Sequence, residues 1–334
     1  METRRNPVVR FFTARGMGQV VTVTIGLIVM CLVFSYINPM FARPRNIANL
    51  SRQIVPVLLV GISQSYVLIT GNIDLSIGSV IGMSNMTSAT LMTKGVNPWL
   101  AALITMAACL VIGLLNGQLV ARCKLPPFIA TLGTMTIARG IAQIVNNNYN
   151  TDSIGAGADA FRTFFYYGRT GGVYNPVWIA LALWLVFNFL LGRTRTGRHI
   201  YAVGSNIEAS RMSGVNVNRT ICTAYLVSSF CACVVGLITT ATSGMGAMDA
   251  GNMYEMYAVA ASVIGGVSTL GGQGILLGTV IGAAIWGVLQ NGLQFAEAPV
   301  GIRNIVIGVI VVVSVLMDVV IRSGRWAFKK KKIE

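Results

Sequence analysis

Residues 53–92 read QIVPVLLVGISQSYVLIT, GNIDLS and IGSVIGMSNMTSATLM, which is two apolar runs with a short polar interruption between them. Asp74 is the only charged residue in this stretch. About 20 apolar residues in a helix cross the roughly 30 Å hydrocarbon core of a bilayer. The stretch therefore predicts either two membrane spans joined at the interruption or one helix that is broken within the membrane.

The composition of the whole chain agrees with this. Of 334 residues, 54% are apolar and only 10% are charged. A soluble domain carries about 25% charged residues, so this chain has too few to cover a surface in contact with water. Disordered chains are rich in charge, and a secreted disulfide scaffold would be shorter and richer in cysteine. The composition predicts an all-α polytopic membrane protein whose surroundings are the lipid bilayer.

Apolar runs of suitable length recur along the chain. They predict about ten transmembrane helices in a domain covering 17–321, at 17–37, 53–70, 74–92, 97–120, 126–146, 176–192, 220–242, 256–271, 273–295 and 303–321. The pairs within 53–92 and 256–295 have almost no linker and contain polar or glycine-rich stretches. Either pair is two spans, or it contains broken or short helices that line a path.

The basic residues indicate the orientation. Positive side chains of membrane proteins concentrate on the cytoplasmic side. With both termini in the cytoplasm, seventeen Lys and Arg lie inside, in basic tails at 1–16 and 322–334 and in loops such as 193–219, and seven lie outside. The sequence predicts N-in and C-in topology. This arrangement accounts for the net charge of +15, so nucleic acid is not expected as a partner.

The interruption GNIDLS suits a helix end followed by a helix start. Gly71 can adopt the left-handed conformation that ends a helix, and Asn72 or Asp74 can cap the next one. A carboxylate that faces lipid is costly, so Asp74 must cap, pair or face water. Two interpretations stay open: a structural cap, or a broken helix beside a translocation path with Ser76 next to it.

The basic loop 193–219 contains a second signal. Ser205 and Glu208 have the spacing of a capping box, and Gly214 suits a helix stop. This predicts a helix of about eight residues outside the bilayer, in which Glu208 and Arg211 are i, i+3 neighbours. Such a helix is either a docking site for a partner or part of a loop whose arginines contact lipid.

Signals for catalysis are missing from the sequence. The only histidine is His199, there is no His-Glu-x-x-His motif, and there is no phosphate-binding loop. The six cysteines are expected to be core thiols. We therefore expect no catalytic residue, no metal site and no cofactor in this chain.

Five stretches resemble the ribose-type permease subunits of ATP-binding-cassette (ABC) importers of bacteria. The most specific is GNIDLSIGS at 71–79, and the others are PFIATLGT (127–134), TRTGRHIYAVGSN (194–206), RMSGVNV (211–217) and AASVIGGVSTLGG (260–272). The resemblance implies a multi-pass protein of the bacterial inner membrane that works as a homodimer, with the path at the dimer interface. It also implies two partners, a cytoplasmic ABC ATPase that hydrolyses ATP and an extracytoplasmic solute-binding protein.

The resemblance assigns roles to residues as well. The ATPase-contacting loop of the family matches 204–214, so the coupling residues would be Ser205, Glu208, Ala209, Arg211 and Gly214. The residues expected along the path are Asn72, Asp74, Ser76, Asn85, Glu255 and Tyr257. Two of these depart from the family pattern, since Asn72 replaces a usual glycine and Tyr257 replaces a usual acidic residue.

The resemblance implies a permease subunit that imports a sugar or sugar-like solute and couples to the ATPase through a cytoplasmic helix. The alternative is an ion-coupled secondary transporter of a small polar solute. That mechanism needs ionisable residues within the spans, and Asp74 and Asp318 are the only acidic candidates.

Overall fold

The fold is a bundle of α-helices, seen in a computed structural model that describes residues 17–322. The predicted basic tail at 1–16, and all but the first residue of the one at 322–334, lie outside the described residues. The only strands of the described part are β1 (Arg169–Thr170) and β2 (Val173–Tyr174), which pair as an antiparallel hairpin. The all-α class predicted from composition is therefore confirmed.

Thirteen α-helices make up the described part of the chain. They are α1 (Met17–Ile37), α2 (Pro44–Ile69), α3 (Ile77–Thr93), α4 (Pro98–Ala121), α5 (Pro127–Ile144), α6 (Asp159–Arg162), α7 (Asn175–Arg193), α8 (Arg195–Ser205), α9 (Ile207–Met212), α10 (Val217–Ser243), α11 (Tyr254–Ile264), α12 (Leu276–Phe295) and α13 (Val300–Arg322). Short helical turns at Ala156–Ala158 and Thr163–Tyr167 flank α6.

Each of the ten predicted spans coincides with one of these helices, but the helices are not equivalent. Within the described residues, seven are long and apolar enough to cross a membrane, namely α1, α2, α4, α7, α10, α12 and α13. The others are α3, α5 and α11, and α11 has only 11 residues. The polytopic character is thus confirmed, whereas ten complete spans remain a prediction.

The core of the bundle lies around α2 and α10. In each of them 72% of the most apolar window is buried, against 11% for α1 and none for α13. The outer helices expose large apolar side chains, among them Leu103, Ile137, Phe189 and Val312, as expected for a surface that faces lipid tails. Small residues bring the inner helices close together, since a Cβ on Gly236 of α10 would meet Ser84 of α3 at 2.3 Å.

Two ends of the bundle can be distinguished by their contacts. At the α8 end, where α8 and α9 lie, Gly272 donates its N–H to the carbonyl of Ile69, the last residue of α2. At the hairpin end, where β1 and β2 lie, the Arg52 guanidinium of α2 is 4.2 Å from the centre of the Tyr166 ring. Residues 52 and 69 are about 26 Å apart along α2, so the two ends are separated by most of a bilayer.

The first helix break lies inside the bundle. The chain leaves α2 at the α8 end and turns back through residues 70–76, and α3 begins near Ser63 of α2 and Ser228 of α10. Ser63 lies six residues before the end of α2, so α3 begins roughly 9 Å into the bundle. Residues 53–92 thus contain two helices joined by a non-helical turn at 70–76, and the number of complete spans they form remains a prediction.

A second irregular stretch enters the bundle from the hairpin end. Residues 244–253, between α10 and α11, run alongside α3 from Asn85 to Gly78. At the deepest point the backbones of Gly251 and Gly78 are in contact, because a Cβ on Gly251 would meet the Gly78 carbonyl at 2.0 Å. The two breaks thus meet in the interior, where non-helical backbone occurs in membrane proteins only when protein surrounds it or it lines a cavity.

Candidate functional site

Asp74 lies at the centre of a buried hydrogen-bond network. Its Oδ1 accepts from the Ser76 N–H at 2.8 Å and from the Ser76 hydroxyl at 2.6 Å, and its Oδ2 accepts from the Ser228 hydroxyl at 2.6 Å. Ser228 also bonds to Ser63 of α2 at 2.8 Å. The Asp74 side chain is only 2% exposed. Asp74 therefore accepts the hydrogen bonds that Ser76 donates at the start of α3, and it links this start to α10.

The network extends to two further helices. Asn116 of α4 donates to the Ser76 hydroxyl at 2.9 Å, and it accepts from the Thr134 hydroxyl of α5 at 2.5 Å.

Gly71 has a φ of 79°, the left-handed conformation predicted for the end of α2. Asn72 is half-buried; its side-chain amide donates to the carbonyl and the hydroxyl of Thr70, and its backbone N–H donates to the Val67 carbonyl. The first break is thus closed by packing and hydrogen bonds.

Segment 244–253 is held in place by side chains from other parts of the chain. Asn85 of α3 accepts from the Ala247 N–H at 2.7 Å and donates to the Met245 carbonyl at 3.1 Å. Arg139 of α5 donates through one nitrogen, Nη1, to the carbonyls of Met248 and Ala250 at 3.1 and 2.9 Å. These bonds replace the backbone partners that a helix would supply.

A cavity of about 350 Å³ lies where α3, α5 and the start of α11 meet. Its wall consists of Ser79, Met135, Thr136, Arg139, Gly140, Gln143, Asn252 and Glu255. Glu255 packs directly on the backbone of α3, since a Cβ on Gly78 would lie 2.3 Å from its Oε2. The charges of Arg139 and Glu255 attract each other, but the two side chains do not form an ion pair. In the described part of the chain the one ion pair within 4 Å joins Arg211 and Glu208.

Of the residues predicted along a path, only Glu255 lines this cavity. Asp74, Ser76 and Asn85 belong to the buried networks described above. Tyr257 lies on a different face of α11, stacked between Tyr254 and Trp286 with ring centroids 5.3 and 4.9 Å away. The structure therefore does not bring the predicted set together at one site.

The cavity also contains residues that sequence reasoning missed, chiefly Ser79, Thr136, Arg139 and Gln143. One signal for them was available. Arg139 is the only basic residue in the interior of a predicted span, because Arg303 stands at the first position of the span 303–321. Charged residues within spans usually face a bundle interior or a water-filled cavity.

The predicted capping box in loop 193–219 is wrong by one residue. Ser205 is the last residue of α8, and the side chain that caps α9 is Asn206, which accepts from the Ala209 N–H at 2.9 Å. The helix has 6 residues rather than about eight. The other features are confirmed: Gly214 has a φ of 80°, and Arg211 lies 3.2 Å from Glu208.

The short helix α9 is exposed, and α8 fastens it to the bundle. The side chains of Glu208 and Arg211 are 75% and 55% exposed, and Met212 is 91% exposed. Gly204 of α8 packs so closely on Ile69 that a Cβ would lie 1.7 Å from its carbonyl oxygen. Tyr201 of α8 donates to the Gly274 carbonyl at 2.6 Å. A displacement of α8 would therefore move both the end of α2 and the loop that leads into α12.

Arginines and tyrosines cluster at the hairpin end. The Arg52 guanidinium lies between the rings of Tyr166 and Tyr174, 4.2 and 4.3 Å from their centres. Arg169 stacks on Tyr174 at 4.1 Å and also donates to its hydroxyl, which lowers the pKa of Tyr174. These contacts tie α2 to the hairpin.

Comparison with known proteins identifies the family. The family description "Branched-chain amino acid transport system / permease component" matches residues 46–315, which include both helix breaks, the cavity and α9. The chain belongs to this permease family. Permease components of ABC importers are not enzymes, because a separate subunit hydrolyses ATP, and this one is a multi-pass protein of the bacterial inner membrane.

Relatives of this permease resemble it over nearly their whole length. The chain is 33% identical to the ribose import permease protein RbsC of Bacillus subtilis, covering 88% of this chain and 91% of the relative. It is 35% identical to RbsC of Escherichia coli K12, covering 88% and 92%. It is 34% identical to the D-allose transport system permease protein AlsC of E. coli K12, covering 87% and 89%. No solved structure matches the chain.

Proposed function

We propose that this permease forms the translocation path of an ABC importer for a sugar or sugar-like solute. The observation that carries the proposal is a cavity lined by the charged residues Arg139 and Glu255, beside two helix breaks in a bundle of apolar helices. Charged side chains at such depth are costly against lipid and normally line a water-filled route. The relatives are named for import of ribose and D-allose, which supports a neutral, hydroxyl-rich solute over the amino acids in the family description.

The proposed topology has ten spans with both termini in the cytoplasm. The α8 end is then cytoplasmic and the hairpin end faces outward. Basic residues support this, because Arg193, Arg195, Arg198, Arg211 and Arg219 all lie in the loop around α8 and α9. The transmembrane domain would cover 17–321, with 193–219 as the cytoplasmic coupling loop.

The ATPase would dock on α9. The contact residues in this proposal are Ser205, Glu208, Ala209, Arg211 and Gly214. Two observations support this proposal. The side chains of α9 are exposed, and the preceding helix α8 contacts Ile69 at the end of α2 and Gly274 before α12. A push on α9 would be transmitted to the end of α2 and to the start of α12. No cofactor is proposed for this chain, since ATP would bind to the partner.

The path would be completed by a second copy of the chain. The α5 side of the cavity is exposed at the polar residue Thr136. Because Arg139 and Gln143 lie on this helix, leaving that side to lipid would be unfavourable. A second copy packed on α5 would enclose the polar wall, and the solute-binding protein would deliver solute from the hairpin end.

The experiment is uptake by the complete importer, with its ATPase and solute-binding protein, in proteoliposomes. D-ribose, D-allose and D-fructose are the labelled probes. We expect ATP-dependent uptake of at least one of them. Uptake of none would refute the sugar assignment, and uptake driven by an ion gradient without ATP would establish the secondary transporter instead.

Coupling is tested by Glu208→Ala and Arg211→Ala. Exposed ion pairs contribute about 0.2–1 kcal/mol to stability, so both variants should fold, while uptake per ATP hydrolysed should fall about tenfold or more. Arg195→Ala, an exposed arginine on neighbouring α8, is the matched control. Unchanged coupling in both variants would refute docking at α9.

The secondary-transporter alternative has little support from the acidic residues. Asp74 is engaged by Ser76 and Ser228, and Asp318 accepts from the N–H and hydroxyl of Thr269 at 3.0 and 2.9 Å. Both carboxylates therefore act as acceptors that hold loops in place, which does not favour reversible ion binding.

A further inference from the structure

We infer that Gln64 of α2 lines the transport path, and that the present conformation covers it until α11 parts from α2. The inference rests on the proposed transport function and deepens it, because it assigns to the path a residue that lies outside the cavity. It also identifies the conformation seen here as closed at this level of the bundle.

The Gln64 side chain is buried without a hydrogen-bond partner. It is 0% exposed, and neither its Oε1 nor its Nε2 reaches a partner in the described part of the chain. An amide group both donates and accepts hydrogen bonds, and leaving it unpaired in a protein interior is unfavourable. Such side chains are few in folded proteins, and each needs a reason. A second conformation that supplies the missing partners is such a reason.

The side chain of Gln64 points into the bundle, between α10 and α11. Successive residues of a helix are about 100° apart. The Ser63 hydroxyl bonds to a serine hydroxyl of α10 at 2.8 Å, and the Ser65 hydroxyl bonds to one of α11 at 3.2 Å. Gln64 therefore lies midway between these two contacts. Tyr66, about 200° from Gln64, packs on the outer helix α7, so Gln64 faces away from the lipid side of α2.

The helices that cover Gln64 can separate without leaving hydroxyl groups unpaired. The Ser65 hydroxyl is also 2.7 Å from the Gly61 carbonyl of its own helix, and the Ser262 hydroxyl is 2.8 Å from the Ala258 carbonyl of its own helix. Parting α11 from α2 would break the bond between the two hydroxyls and leave each of them an acceptor. The amide of Gln64 would gain water as a partner. The closed form thus contains an unpaired group that the open form relieves.

The helix α11 connects Gln64 to the cavity. Its first turn places Glu255 in the cavity wall, and Ser262, two turns later, contacts α2 beside Gln64. The packing of α11 on α2 uses small residues, since a Cβ on Gly61 would meet Ala261 at 3.2 Å. Packed helices can slide past each other by small amounts. A shift of α11 that uncovers Gln64 would extend the cavity toward the α8 end, because residue 64 is about 8 Å from the end of α2.

The first test replaces the amide by a side chain of similar length that needs no partner. Gln64→Met should move the SDS unfolding midpoint to a higher SDS fraction, because it removes the unpaired amide from the closed form. It should also lower ATP-driven uptake by the complete importer about fivefold or more, since the closed form is then favoured. Gln53→Met, at an exposed position of the same helix, is the matched control. The Gln53 side chain accepts from Asn291 at 3.2 Å, so this variant should gain no stability and should retain uptake.

The second test measures the access of water to position 64 during transport. Gln64→Cys is made in a chain in which Cys31, Cys123 and Cys222, the thiols that are not fully buried, are replaced by alanine. The complete importer in nanodiscs is treated with a cationic methanethiosulfonate reagent. Minor conformations are commonly populated at about 0.1–10%, so ATP together with the loaded solute-binding protein should raise the labelling rate at least about tenfold. Leu59→Cys, equally buried and about 140° around α2 from Gln64, should label no faster with ATP.

The outcomes separate the two proposals. Failure of ATP-driven uptake by the parent importer overturns the proposed function. With uptake established, three results overturn the inference and leave the transport function standing. The first is a Gln64→Met variant that unfolds at a lower SDS fraction or does not assemble, because buried water then pairs the amide in the closed form. The others are unchanged uptake in Gln64→Met and equal labelling of Gln64→Cys with and without ATP.

A more stable and slower Gln64→Met variant, together with labelling of Gln64→Cys that depends on ATP, supports the inference. A merely structural glutamine would give the opposite change in stability. If Gln64→Cys does not assemble, the stability and uptake of Gln64→Met decide alone.

Discussion

Removing the Asp74 carboxylate should destabilise the permease far more than neutralising it. Asp74→Ala removes the acceptor for three donors: the Ser76 N–H, the Ser76 hydroxyl and the Ser228 hydroxyl. Ser228 can turn toward Ser63, which is 2.8 Å away. The backbone N–H of Ser76 has no second acceptor in the described network, so it would remain buried and unpaired.

The magnitude follows from these partners. A buried donor left unpaired costs about 1–3 kcal/mol, and each hydrogen bond to a charged group contributes about 1.5–3 kcal/mol. With Ser228 partly compensated, Asp74→Ala should lower the free energy of unfolding by about 3–5 kcal/mol. Asp74→Asn keeps the oxygen that bonds Ser76 and loses one acceptor, so about 1–2 kcal/mol is expected.

The assay is unfolding in mixed detergent micelles with increasing SDS, followed by tryptophan fluorescence. Ser228→Ala should fall close to Asp74→Asn, and the exposed Asp152→Asn should match the parent. If Asp74→Ala is as stable as the parent, or if Asn is as damaging as Ala, the bonding described for the first break does not hold the bundle together.

Two other substitutions follow from close contacts. Gly204→Ala would place a Cβ 1.7 Å from the Ile69 carbonyl oxygen. We therefore expect the amount of assembled protein, measured by size-exclusion chromatography, to fall. Gly192→Ala, at a position with open space around it, should leave that amount unchanged. Arg52→Gln removes two aromatic contacts and should lower the free energy of unfolding by about 1–2 kcal/mol. Arg43→Gln, at an exposed neighbouring position, is the control in the same SDS titration, and an equal loss in both variants would contradict the stacking argument.

The helix breaks could be predicted because their signals are local. A polar interruption with Gly71 at its start is enough to indicate that α2 ends there. The partners of Asp74 could not be predicted, because Ser228 lies 154 positions away and the choice among the many span serines depends on helix packing. The sequence therefore indicates that Asp74 needs donors without identifying them.

The misplaced helix cap and the separation of Glu255 from Tyr257 have equally specific causes. Ser205 and Asn206 both favour helix caps, and α8 extends to Ser205 because Ile200 and Val203 hold it against the core, which leaves the cap to Asn206. Glu255 and Tyr257 are close in sequence but about 200° apart around a helix. Only one of them can face the cavity, and the packing of Trp286 decides which.

The length of α11 has a consequence for how the permease is made. Its 11 residues cover roughly 16 Å, about half of the hydrocarbon core, so this segment has no independent stability as a span when it leaves the ribosome. It is retained by α2, synthesised long before it, and by α12, synthesised directly after it, which pack on Ala261 through Gly61 and Gly282. The wall that contains Glu255 is consequently completed only after residue 295 has entered the membrane, and a chain truncated earlier would lack the cavity although most of its helices had been inserted.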